Sequence, residues 1–143
     1  VIELGGRGPF APAMAAMARK NVIFLGEVPY SDVLWRTSES HFGFIFTDFA
    51  HRRKTSNNKL HEYMLAGVVP IAKINEDGYS PEWPIDLMNE KSFEEIYAYV
   101  MSLIEDRDAL SKKMTEIRKF GETRTWKACE KRYHDLYDRL VGR

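Results

Sequence analysis

Residues 51–62 read HRRKTSNNKLHE. Cations at Arg52, Arg53 and Lys54 follow His51; then come Ser56, Asn57, Asn58, Lys59 and Leu60, and a carboxylate at Glu62. Ser and Asn favour the first position of a helix, and Gly favours the left-handed conformation that ends one. The spacing therefore predicts a short helix over residues 58–66, opening on Ser56-Asn57-Asn58 and closing at Gly67. Such a start leaves N–H groups unpaired and turns the positive end of the helix dipole toward the basic loop. That is the chemistry of an anion site. Glu62 sits badly for a phosphate but well for accepting hydrogen bonds from ribose hydroxyls. Together these residues suggest a nucleoside diphosphate partner.

Each of these residues also has a plainer role open to it. Glu62 can be a solvated carboxylate near a helix start, Asn57 and Asn58 helix caps, Lys59 a surface lysine, and the run 51–54 a solvated charge run. Capping and phosphate binding by the same N–H groups can coexist. Elsewhere the chemistry is sparse. His41, His51, His61 and His134 have no metal-ligand spacing. Gly5-Gly6-Arg7-Gly8 lacks the third glycine of a dinucleotide fingerprint and runs into Pro9, so it reads as a turn. Cys129 is the single cysteine, which excludes an internal disulfide, and its apolar neighbours predict a buried, inert thiol. No nucleophile elbow is visible.

The elements that must position these residues alternate. Strands are predicted at residues 1–4, 22–25, 42–47 and 68–72, each a short apolar run. Helices are predicted from Pro12 to about residue 20, from a Ser31 or Asp32 cap to about 37, and at 58–66. Residues 75–89 are turn-rich, with Asp77-Gly78, Pro81 and Pro84. The remainder reads as helical: 93–105 behind a Ser92/Glu95 capping box, 108–120 ended by Gly121, and a last helix capped by Thr125. On that last helix Trp126, Cys129, Tyr133, Leu136, Tyr137 and Leu140 recur at helical spacing. Apolar strands alternating with helices predict a parallel sheet covered on both faces.

With 143 residues, 44% of them apolar, the chain has material for one domain with a core. Its 21 basic and 21 acidic residues cancel, which argues against bulk nucleic-acid binding. No apolar run is long enough to span a bilayer and no segment reads as a signal peptide, so a cytoplasmic protein is expected. The opening VIEL without an initiator Met suggests an excised fragment.

The blocks Asn21–Pro29 (NVIFLGEVP) and Lys59–Pro70 (KLHEYMLAGVVP) resemble the C-terminal, nucleotide-sugar-binding domain of GT-B glycosyltransferases, in the large retaining family that includes sucrose and glycogen synthases. The resemblance covers nearly the whole chain. The second block is fairly specific, and the first is weak alone. The resemblance implies a Rossmann-like three-layer α/β/α domain spanning residues 1–143, with a helical C-terminal tail that packs on an N-terminal, acceptor-binding domain. It implies binding of a UDP- or GDP-sugar, with Gly26 and Val28 against the base, Ser56, Asn57, Asn58, Lys59 and Leu60 around the phosphates, and Glu62 on the ribose. No metal and no tightly bound cofactor are expected.

Two departures bear on the mechanism. The family pairs Glu62 with a glutamate eight positions earlier, and here that position is Lys54, which becomes the catalytic candidate. The family's domain also opens with a strand, loop and helix that clamp the diphosphate with an Arg and a Lys, and this chain starts one strand later. An isolated chain is therefore expected to bind without catalysing. Residues 1–4 are expected to lack their inner sheet neighbour, which direct closure of the sheet or a homodimer would supply. Peripheral membrane association of the full-length protein is compatible with the family. Two rival readings stand beside this one. The first is a non-catalytic regulatory module, for which Asp48 is the sole phosphoacceptor candidate. The second is half of a nucleotide-sugar epimerase.

Overall fold

The computed structural model describes residues 1–46, 58–74 and 82–142. The chain divides into two compact units, Val1–Arg36 and Thr37–Arg143.

The first unit holds β1 (Ile2–Gly5), α1 (Ala11–Ala16), β2 (Val22–Gly26) and the start of α2 (Tyr30–Ser38). β1 and β2 run parallel, with Ile2 opposite Val22, Leu4 opposite Phe24, and an irregularity before the Gly5–Gly26 pair. Pro12 stands in the first turn of α1, where its missing N–H costs nothing. The helix stops at Ala16, short of the predicted residue 20. Beyond it Arg19 and Val22 exchange backbone hydrogen bonds at 2.9 and 3.0 Å and fold the chain into β2. α2 begins before its predicted caps. Asp32 and Val33 both donate to the Pro29 carbonyl at 3.0 Å, so Ser31 and Asp32 lie inside the helix. Arg36 of α2 reaches both carboxylate oxygens of Glu3 on β1, at 3.0 and 2.9 Å.

No residue of this unit is fully buried, although its strands are predicted as buried runs. A two-stranded sheet with two short helices has too little apolar area to enclose a core of its own.

The second unit holds β3 (Phe42–Phe46), α3 (Asn58–Ala66), β4 (Val69–Lys73), α4 (Phe93–Glu105), α5 (Arg107–Glu122) and α6 (Trp126–Val141). β3 and β4 pair in parallel from Phe42–Val69 to Phe46–Lys73. Beyond β4 the ladder continues briefly. Ala72 bridges Leu87 in parallel, and the Asn89 side chain bonds the N–H and C=O of Ile74 at 3.0 and 2.9 Å, standing in for one more strand residue.

The core lies here. Ile45, Leu60, Met64, Ile71, Ile96 and Ile117 are among its buried members, from α3, α4, α5 and both strands. Two glycines let the elements close. A Cβ on Gly43 would lie 2.4 Å from the Tyr63 ring, so α3 rests directly on the β3 backbone. A Cβ on Gly121 would lie 2.6 Å from the Met64 carbonyl carbon, so α5 meets α3 backbone to backbone. Gly121, the last residue but one of α5, thus permits close packing, where the spacing predicts a terminator; α5 runs on to Glu122.

α4 carries the predicted capping box, with both Ser92–Glu95 bonds made, at 2.8 and 3.2 Å. Thr125 caps α6 through Ala128 at 3.1 Å. The apolar stripe of α6 is not covered, and Cys129 is only partly buried where full burial is predicted. The fold is α/β, with short parallel sheets and a helical C-terminal tail. Among the described residues it differs from the predicted single sheet in forming two two-stranded ones, β1–β2 and β3–β4.

Candidate functional site

α3 is the element on which the predicted site residues gather. It opens at Asn58 and has two buried side chains, Leu60 and Met64, one turn apart. Their spacing fixes which side of the helix faces the core. Burying a side chain of that size contributes about 1.5–3 kcal/mol. Val68 donates to the Tyr63 carbonyl at 2.9 Å and Gly67 to that of Met64 at 3.1 Å, with Gly67 at φ +76°. This is the paired closure that a left-handed glycine allows, and it aims the chain into β4.

Asn58 and Lys59 are exposed at the helix start, and Glu62 is half-exposed. Leu60 is 3% exposed. Its side chain therefore belongs to the core. Lys54, Ser56 and Asn57, with the rest of the basic run and Asp48, lie outside the described residues.

Gly26 and Val28 lie in the first unit, at the exit of β2. Gly26 adopts φ +67°, which favours glycine, and its carbonyl accepts the Gly6 N–H at 2.7 Å. The Val28 side chain lies against Gly5.

Burial, and then the charge of neighbouring Glu62, raise the Tyr63 hydroxyl above its ordinary pKa. The Tyr63 ring is held in place by Gly43 beneath it. His61 turns to a different neighbour. Its ring meets Trp83 edge to face at 5.6 Å between centroids, Trp83 meets Phe120 at 5.8 Å, and the Arg124 guanidinium stands 5.6 Å from the Trp83 ring and 4.9 Å from that of Phe120. This cluster joins α3, the segment after β4 and the end of α5. The sequence signals only a turn-rich stretch there, since contacts between residues so distant in the chain leave no local pattern.

The same segment is clasped further on. The Asp86 carboxylate accepts from Tyr99 of α4 at 2.8 Å and from Lys113 of α5 at 2.6 Å. Burial pushes the Asp86 carboxyl up, but the bonds from Lys113 and Tyr99 outweigh it and hold the group below the usual carboxylate range. Burial, then the bond to Asp86, raises the Tyr99 hydroxyl well above its ordinary value.

Among the described residues no group of three His, Cys, Asp or Glu side chains could hold a metal ion, and no helix is long and apolar enough to cross a membrane. No protein-family model, curated protein or solved structure matches the chain.

Proposed function

We propose that this chain is the donor-binding domain of a glycosyltransferase of GT-B type, a Rossmann-like three-layer domain that takes a nucleoside diphosphate sugar. The observation that carries the reading is the folded form of the Lys59–Pro70 block. It makes a helix anchored by Leu60 and Met64, a left-handed Gly67 and a buried strand, and leaves Lys59 and Glu62 outside the core. In this reading the first-turn N–H groups of α3, Lys59 and the basic residues 52–54 hold the diphosphate, and Glu62 accepts the ribose hydroxyls. Lys54 is the catalytic candidate of this reading.

Departure of the diphosphate is the step such a site has to assist. Preorganised N–H donors, a helix dipole and cationic side chains stabilise the charge that develops on the leaving oxygen. The acceptor belongs to a second domain, and the chain alone binds without turnover. Calorimetric titration of the chain with UDP and with GDP tests the reading. Saturable binding of either is expected, and heats no larger than dilution for both would overturn it.

A further inference from the structure

The cluster around Trp83 sits next to the proposed nucleotide site without belonging to it. Trp83 is partly buried. The segment that carries it is fixed at several points, through Asn89 to Ile74, Met88 to the Ala72 carbonyl at 2.8 Å, and Asp86 to Tyr99 and Lys113. Trp83 itself is braced by Phe120 and Arg124 of the α5 end, and it presents its ring to His61. His61 immediately precedes Glu62. On the opposite neighbour of Glu62, Tyr63 is pinned by Gly43. Glu62 is thus flanked in sequence by two aromatic side chains, each held by a different part of the unit.

We propose that Trp83 is a positioning residue for the nucleotide site. By holding the His61 ring it adds to the anchorage that Leu60 and Met64 give α3, and so steadies the direction in which Glu62 offers its carboxylate. The inference rests on the donor-binding reading above. Two elements far apart in sequence are needed to set one carboxylate because α3 is short, at nine residues, and a helix of that length owes its orientation to packing more than to propensity. A ribose diol read by two hydrogen bonds tolerates little misdirection, since such bonds weaken steeply with angle.

A double-mutant cycle on the full chain, read by calorimetric titration with UDP and GDP, separates this role from a merely structural one. The variants are Trp83→Ala, Glu62→Gln and the two together. Trp83→Ala is expected to weaken binding about fivefold to tenfold in the parent and to have almost no effect when Glu62 is already Gln, the non-additivity of residues acting through one contact. An equal loss in both backgrounds, or no loss in the parent, would overturn the positioning role and leave the donor-binding reading intact. A parent chain that binds neither nucleotide overturns both. His61→Ala removes the half-exposed partner of the same ring contact and must give the same cycle, which keeps the test decisive if Trp83→Ala does not fold.

Discussion

Tyr63 and Gly43 set how closely α3 lies on β3, and the tolerance is small. A methyl at Gly43 would sit inside van der Waals range of three ring carbons at once, between 2.4 and 2.7 Å. Tyr63 would have to leave its position, or α3 would have to lift. Gly43→Ala is therefore expected to destabilise the protein by about 1–3 kcal/mol, the range for overpacking, read as a drop in thermal midpoint; an unchanged midpoint would show the contact to be soft.

Asp86 supplies a second residue-level test. Its folded pKa is depressed, so it contributes stability above its unfolded value of about 4, and that contribution is lost as pH falls through the lower folded value. Asp86→Asn is expected to lower stability at neutral pH by no more than about 1 kcal/mol, because the carboxylate is half-exposed and its pairs are screened. Thermal melts of both proteins should converge as pH falls from neutral through that depressed value. A gap that stays constant across that range would contradict the assignment. The helix α3 itself was legible because Asn58 and Gly67 stand at its two ends in local order. The burial of Leu60 is not legible in the same way, since proximity in sequence to polar residues says nothing about which side of the helix turns inward.

At the scale of elements, helix ends marked by side-chain chemistry were readable. Ser92 with Glu95, Thr125 and Gly67 all cap where their types predict, because caps are made within three or four residues of themselves. Gly121 defeated the same logic. A glycine that terminates a helix and one that lets two helices touch look alike in sequence, and only the approach of α3 distinguishes them. The structure turns this into a prediction. A Cβ at Gly121 meets the backbone of Met64 and Leu65, which cannot rotate away as a flexible side chain can. Gly121→Ala should cost at least about 2 kcal/mol despite the gain of about 1 kcal/mol in helix propensity. If position 121 were only a helix stop tolerant of substitution, the urea midpoint would hold or rise.

For the whole molecule, the four strands were legible as apolar runs, but their partnership was not. Pairing is a non-local choice between segments that look alike, and Val22–Gly26 and Phe42–Phe46 carry no mark that tells which neighbour each accepts. The result is a chain whose second unit holds the buried core and the α3 site residues, and whose first holds Gly26 and Val28 without a buried side chain. On the proposed reading this chain is the donor half of an enzyme. It should then transfer no sugar from labelled UDP- or GDP-sugars to water or to added glycosides; turnover by the purified chain would contradict the assignment of the acceptor to another domain.

On the proposed reading Glu62 accepts the ribose of a nucleoside diphosphate bound at the start of α3. Calorimetry of the parent and of Glu62→Ala with the nucleotide the parent prefers tests it most directly. Saturable binding by the parent is expected, with a loss of about 1–3 kcal/mol in the variant, the range for hydrogen bonds to a charged group, and an unchanged melting temperature. Equal affinity in the two proteins would contradict it.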